Sequence, residues 1–413
     1  MFEIVVLQET LKTVLEYLSP TVGKNSQNLG DDCIHMESTN TGSCILYTTN
    51  TVESTVIEVT CSNSTQAAIA PHVNFKRFKG IIDSIPSNEY ITIKEGVNQL
   101  LISFSMRKTP IVLTANNCGM ISMPQIISSS PQMIDFPVEF FNKVITKATT
   151  IINDSSTVQI MNCIKLTIGN PTVTAEAIDV NSKRTFFMTD SFGTCSNKEE
   201  FLIEASKMSK SLKLLEDFTD FEIGHDNAFV LIKGGNRPSV INRKHPTASN
   251  DILEVYYVLR KLNGMFPNVS QYYTATYQPA EYITVNKTDI LNSIARIKAL
   301  GDSTSFNTGI SIKVDKNEFN VSFNSQHGQL NDPIDVLNSI NGSFNMTFNH
   351  KEFEEILKSI QADYVDIGVM TGTASNFIIK GNSTSNGSYT ETDKFSMLSK
   401  ATVTNNQQNV PTP

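Results

Sequence analysis

The chain has 413 residues, with 33 Lys and Arg against 41 Asp and Glu and a formal net charge of -8. Hydrophobic residues at 39% and charged residues at 18% can fill several cores, and the length points to two to four domains. The acidic balance argues against holding nucleic acid through general basicity, while leaving room for a local basic face. No run of about 18 apolar residues occurs, so no membrane span is expected. The amphipathic N-terminus carries Glu3, Glu9 and Glu16, unlike a signal peptide. Six cysteines (Cys33, Cys44, Cys61, Cys118, Cys163, Cys195) are scattered with no C-x-x-C pair. They read as free thiols of a reducing compartment, so a cytoplasmic protein is expected.

In chain order, a short β-like run passes into an amphipathic helix in IVVLQETLKTVLEYL from Ile4, where Leu7, Leu11, Val14, Leu15 and Leu18 form a stripe. A hairpin follows from Cys33, with Asn40 to Gly42 as its turn. A second helix follows, VNFKRFKGIIDSI from Val73, and a second hairpin in YITIKEGVNQLLISFSM. A Ser/Pro linker is expected between Met123 and Pro137. The order then recurs: helix from Phe136, hairpin from Cys163 turning at Gly169-Asn170-Pro171, helix from Ile203, hairpin FEIGHDNAFVLIKG, and an extended loop from Gly234 to Asp251. After the junction NGMFPNVSQYYTATYQPAEY it recurs again: helix from Ile283, hairpin from Ile310 turning at Asp315 to Asn317, helix from Phe348, and the hairpin beginning at Tyr364. The first helices start 132 and 147 residues apart and the second ones 130 and 145. Those matched spacings predict an α+β domain repeated three times, over 1–125, 132–268 and 280–400, with 401–413 as a disordered polar tail.

No catalytic constellation is found. The six histidines (His35, His72, His225, His245, His327, His350) show no i, i+4 pair and no metal-ligand spacing with Cys. There is no phosphate-binding glycine loop and no nucleophile elbow. The chain therefore reads as a non-enzymatic scaffold or binding protein without cofactor or metal. Charge is distributed more tellingly. The six helices, bounded at 8–18, 73–84, 137–150, 203–215, 286–299 and 350–360, hold 14 basic against 9 acidic residues, so the rest of the chain carries -13. The candidate basic face comprises Lys12, Lys76, Arg77, Lys79, Lys143, Lys147, Lys207, Lys210, Lys213, Lys287, Arg296 and Lys298, with Lys351 and Lys358 on the last helix. Lys207, Lys210 and Lys213 form its densest stripe, and Arg296 with Lys298 a smaller patch.

With the threefold repeat in register, local motifs resemble the bacterial-type β sliding clamps, the DNA polymerase III β subunits. These motifs are the Ala295-Arg296 step within a helix, Phe348-Asn349 at a strand-to-helix passage, Phe266-Pro267 in the second junction, TNTVES at Thr49 to Ser54, and AIDVNSKR at Ala177 to Arg184. The resemblance implies three tandem clamp domains, each with two helices on antiparallel sheets. It further implies a head-to-tail homodimer closing a ring around double-stranded DNA, with helices lining the hole. The partners so implied are a replicative DNA polymerase and a clamp loader. DNA would be held topologically, through phosphates and without sequence readout, and the strand around Ile111 to Leu113 would meet the third domain of the partner copy. Carried over by position, a partner-peptide pocket would comprise Ile178, Val180, Asn181, Pro267, Gln271, Tyr272, Asn349, Met397 and Leu398. Val180-Asn181-Ser182 departs from the family's Gly-His-Arg, so a changed peptide preference is expected. A clamp-fold scaffold that recruits replication or repair proteins without encircling DNA is the alternative.

Overall fold

A computed structural model describes residues 1–23, 30–50, 52–62, 66–116, 122–129, 131–152, 156–169, 172–179, 184–191, 198–209, 220–235, 251–269, 281–300, 309–325, 327–369, 376–382 and 393–398. One pattern is used six times: a leading strand, a helix, then a three-stranded meander. The first two copies are β1 (Glu3–Leu7), α1 (Gln8–Leu18), β2 (Cys33–Ser38), β3 (Ser43–Thr49) and β4 (Glu53–Thr60), then, after the two-residue β5 (Ala68–Ile69), β6 (Val73–Asn74), α2 (Phe75–Asp83), β7 (Tyr90–Gly96), β8 (Gln99–Ser103) and β9 (Ile111–Thr114). A short helix α3 (Gln125–Ser128) intervenes. The next two are β10 (Ile134–Pro137), α4 (Val138–Ile151), β11 (Cys163–Ile168), β12 (Thr172–Asp179) and β13 (Arg184–Ser191), then β14 (Glu199–Glu204), α5 (described over 205–209), β15 (Asp220–His225), β16 (Phe229–Gly235) and β17 (Ile252–Arg260). The last two are β18 (Tyr282–Asn286), α6 (Lys287–Leu300), β19 (Gly309–Asp315), β20 (Glu318–Ser325) and β21 (Gly328–Ile334), then β22 (Ser343–Asn349), α7 (His350–Ser359), β23 (Tyr364–Val369), β24 (Asn376–Asn382) and β25 (Asp393–Leu398).

Within each pair of copies, the leading strand of one pairs with the first meander strand of the other: β1 with β7 and β6 with β2, β10 with β15 and β14 with β11, β18 with β23 and β22 with β19. All the pairings are antiparallel. Two further pairings join one repeat to the next, β4 with β17 and β13 with β25, each between the third strands of two meanders. The four sheets that result run β1-β7-β8-β9, β10-β15-β16-β17-β4-β3-β2-β5, β14-β11-β12-β13-β25-β24-β23-β18 and β21-β20-β19-β22. The chain divides into two compact units, one of 1–142, 193–195 and 206–262 and the other of 143–192, 196–205 and 263–413.

Local chemistry explains the elements. Leu11, Val14, Leu15 and Leu18 of α1 are fully buried, each contributing roughly 1.5–3 kcal/mol of transfer free energy. Asn74 caps α2 by accepting from the Arg77 amide at 3.1 Å, and Asn349 caps α7 through the amides of Lys351 and Glu352. In the β7–β8 turn Asn98 takes a φ of 54°, a left-handed conformation that asparagine tolerates.

Two expectations need correction. Each expected hairpin is a meander: among the third strands, β4 has residues 53–57 all buried and so lacks the polar alternation that marks a half-exposed strand, β9 is only four residues long, and β21 alternates along its length. The expected Ser/Pro linker is ordered where it meets apolar neighbours, because Ile126 of α3 packs on Leu231 and Val258, with Met133 beside them. Most of the loop expected from Gly234 to Asp251, two of the three residues of the turn at Gly169-Asn170-Pro171 and the expected tail lie outside the described residues.

Candidate nucleic-acid and partner interfaces

The helices set out the predicted cations with unequal exposure. On α2, burial of Phe75, Phe78 and Ile82 turns Lys76 and Arg77 to solvent, while Lys79 bonds Asp83 one turn on at 2.8 Å. Lys12 on α1 and Lys143 on α4 are half-buried. None of Lys12, Lys76, Arg77, Lys143 and the exposed Lys351 forms an ion pair with a described residue. These five are the cations that the described helices leave available.

The others are engaged. Lys147 is 2% exposed, and burial, reinforced by the charge of Lys143, lowers its pKa to about 7. It is therefore withdrawn from the basic face that its helical spacing suggested. Lys207 turns to the sheet, where Glu53 accepts from its ammonium at 3.2 Å, so the stripe read from the sequence does not present this residue to solvent as a free charge. Lys210 and Lys213 lie outside the described residues. Lys287 donates to the Ile360 carbonyl at 2.6 Å. Arg296 bonds Asp332, whose carboxylate also accepts from Ser293. Lys298 and Lys358 both reach Glu354. Burial pushes the Glu354 carboxyl up, but the bonds from those two lysines outweigh it and hold the group below the ordinary range. The Arg296–Lys298 patch is thus matched by acids.

The predicted partner pocket separates into an apolar and a polar part. Ile178 packs with Val269 and Ile378, flanked by Met161, Phe187, Phe266 and Tyr282. The half-buried Pro267 lies between Phe266 and Val269 in the junction that covers this cluster. Ile178 is 8% exposed and Val269 fully buried, so this part is closed apolar packing. The residues the sequence reading missed here, Met161 from the short helical turn before β11, Phe187 from β13, Ile378 from β24 and Tyr282 from β18, carry no local signature.

Asn349 belongs instead to an open polar cleft of about 650 Å³ between the end of α4 and the start of α7, which it lines together with Thr150, Arg184, Lys351, Glu352 and Glu355. Arg184 lies 3.5 Å from Asp179 and 3.9 Å from Glu355, and donates to the Thr150 carbonyl at 3.1 Å. Burial raises the Glu352 pKa, Arg184 opposes that shift, and Asp179 and Glu355 add to it. Of the remaining pocket candidates, the Met397 backbone pairs with Arg184 and Phe377, and Leu398 pairs with Asn376. Val180, Asn181, Gln271 and Tyr272 lie outside the described residues.

Three tandem strand–helix–meander pairs, joined edge to edge by antiparallel sheets, define the DNA sliding-clamp fold. No protein-family model matches the chain, and no curated protein matches it by sequence. The likeness lies in solved structures. A putative DNA polymerase III β subunit from Eubacterium rectale is 15% identical with a TM-score of 0.78, over 96% of this chain and 99% of that one. The Bacillus subtilis DNA polymerase sliding clamp is 15% identical with a TM-score of 0.79, over 96% and 98%. A Pseudomonas aeruginosa sliding clamp determined with a ligand is 11% identical with a TM-score of 0.78, over 97% and 99%. At these identities the chain is a divergent form of that fold.

Proposed function

We propose that the protein is a DNA sliding clamp: a head-to-tail homodimer that encircles duplex DNA without sequence preference and tethers a replicative polymerase after a clamp loader has placed it. The role makes and breaks no covalent bond, and it belongs to a cytoplasmic protein whose three domains span 1–125, 132–268 and 280–400. The pattern of sheet junctions carries the reading. The third strand of the first meander in one repeat meets the third strand of the second meander in the next, at β4·β17 and at β13·β25. The corresponding strands left over are β21 and β9, which end their sheets as edges. Joining β21 of one copy to β9 of another completes the series, and with two copies it closes a ring of six repeats. The cations left available on α1, α2, α4 and α7 then serve the phosphates. Because retention is topological, few contacts suffice and sliding stays unhindered. The open cleft at Arg184 and Asn349 is the proposed docking region for polymerase and loader peptides, and the closed cluster around Ile178 serves as packing.

Negative-stain imaging with native mass on the same sample tests this reading. A six-lobed ring at twice the chain mass is expected, a ring of three chains overturns two-copy closure, and a monomer at every concentration overturns encirclement. The engagement of Arg296, Lys298 and Lys207 with acids favours the second reading, a clamp-fold scaffold that recruits replication or repair proteins without loading on DNA. Salt dependence separates the two. Reversing Lys76 and Arg77 to Glu is expected to reduce the slope of log affinity for duplex DNA against log salt by about 2, whereas Lys207→Ala leaves that slope unchanged. Equal slopes in all three proteins, measured by fluorescence anisotropy, remove α2 from the DNA face.

A further inference from the structure

We propose that His35 and His72 form a binding site for a divalent transition-metal ion, held through their two Nδ1 atoms and tying β6 to β2 in the first repeat. The inference does not depend on the clamp reading.

Strand pairing sets the two rings against each other. β2 and β6 pair with Cys33 opposite Asn74 and Ile34 opposite Val73, and one step further in the same register brings His35 opposite His72. The two Nδ1 atoms come within 2.9 Å. That is the separation of two neighbouring ligands on one ion, ~2.9 Å for nitrogens bonded at about 2.0–2.1 Å and at a right angle. The ring centroids are only 4.5 Å apart and the planes cross at 66°, so the rings do not meet end to end. Their axes bend away from the line between the nitrogens, as they must for both lone pairs to turn to a point beside that line.

The pair is built into its surroundings. His35 is fully buried and stacks on Tyr47, with centroids 4.8 Å apart and planes 19° apart. Tyr47 Oη donates to Glu37 at 2.8 Å, and Glu37 lies near enough to act on the charge of His72. A carboxylate so placed offsets part of an ion's charge without being a ligand. His72 is half-buried, which leaves an entry path on its side, and its carbonyl accepts from the Asn116 amide at 2.8 Å. Among the described residues no three His, Cys, Asp or Glu side chains converge on one point, so water completes the coordination, as in an open site. In the metal-free pair one Nδ1–H donates to the other Nδ1. When the ion binds, that ring carries its proton on Nε2 instead, and no net proton is released. Imidazole nitrogens suit Zn(II), Ni(II) and Cu(II), whereas Mg(II) takes oxygen ligands. Because β6 is only two residues long, a metal cross-link at its start fastens the strand that leads into α2.

Isothermal titration of the full chain with Zn(II), and separately with Mg(II), tests the site. One Zn(II) per chain is expected, and no binding of Mg(II). H72Q is expected to weaken Zn(II) binding by about tenfold or more, since even an outer-shell partner is worth that much. H327Q, at an exposed histidine, leaves it unchanged. Saturating Zn(II) is expected to raise the melting midpoint of the wild type and not that of H72Q, whose own melt reports its folding. A readout without any variant is protection: Zn(II) is expected to shield His72 of the wild type from acylation by diethyl pyrocarbonate, followed by peptide mass. Zn(II) binding that is equal in wild type and H72Q, or a Co(II) complex with thiolate charge-transfer absorption, places the metal on other side chains and overturns the site. A His72 that stays reactive under saturating Zn(II), or a wild type that binds no Zn(II), overturns it as well.

Discussion

Glu53→Ala is expected to destabilise the protein by about 3 kcal/mol or more, which lowers the urea midpoint by roughly 1 M. Glu53 lies on β4, where that strand joins β17, and its side chain is 1% exposed. Its carboxylate accepts from Tyr257 Oη at 2.6 Å and from Lys207 Nζ at 3.2 Å. One acid therefore fastens α5 to the strand pair that joins the first repeat to the second. Truncation leaves the phenol and the ammonium in a site with little water, and this desolvation cost exceeds the net worth of the bonds themselves. The Lys207 side chain is 20% exposed, so solvent recovers part of its loss and places the effect at the lower end of the range for buried pairs. Glu53→Leu combined with Lys207→Met removes both charges and fills the space, and is expected to lie much closer to wild type than either single change. If the double variant is as unstable as the sum of the singles, the pair has no coupling and the account of this junction fails.

Lys207 also shows what the sequence could and could not convey. Its stripe with Lys210 and Lys213 was legible as a basic helix face, but its acid lies 154 residues away on another repeat. Nothing local distinguishes a lysine aimed at a carboxylate from one aimed at solvent. Lys147 has the same history: four residues from Lys143 on the same helix, it is buried by tertiary packing that no periodicity reports. The repeat itself was legible because each helix must bury one apolar stripe, and its spacing recurs in the chain. The third strand of the first meander was not, since β4, buried over residues 53–57, loses the alternation that signals a strand. The apolar half of the partner pocket escaped for a related reason. Ile178 could be singled out by its motif, but Met161, Phe187, Ile378 and Tyr282 meet it only once β12, β13, β18 and β24 share a sheet. Arg184 stood in plain view at the end of AIDVNSKR, and its part in the polar cleft emerged only when α7 brought Glu355 and Asn349 beside it.

Acidification exposes another contact that separation in sequence conceals. His35 and His72, 37 residues apart, meet Nδ1 to Nδ1 at 2.9 Å. One ring must donate and the other accept, so both cannot be charged in this geometry. His35 is fully buried on β2, stacked on Tyr47 with centroids 4.8 Å apart. Tyr47 in turn donates to Glu37 at 2.8 Å. Burial, followed by the proximity of His72, lowers the His35 pKa to about 4 although a hydrogen bond to the Gly30 backbone raises it, and burial also lowers that of His72 despite Glu37. The unfolded chain takes up a proton on His35 near pH 6.5, while the folded chain resists until about pH 4. Unfolding therefore binds protons throughout that window. Stability is undiminished above pH 6.5 and falls by about 1.4 kcal/mol per pH unit below it, or about 2 kcal/mol by pH 5. The consequence reaches beyond the core, because His72 immediately precedes β6 and α2, and its carbonyl accepts from the Asn116 amide just past β9 at 2.8 Å. The segment that carries Lys76 and Arg77 and the exit of the proposed closing strand are therefore both tied to the neutral pair. Urea midpoints measured from pH 7 to 5 are expected to fall less steeply in His35→Gln, which lacks the titrating group even where its absolute stability is lower. A slope identical to that of wild type would place the acid sensitivity elsewhere and leave the histidine pair with a packing role alone.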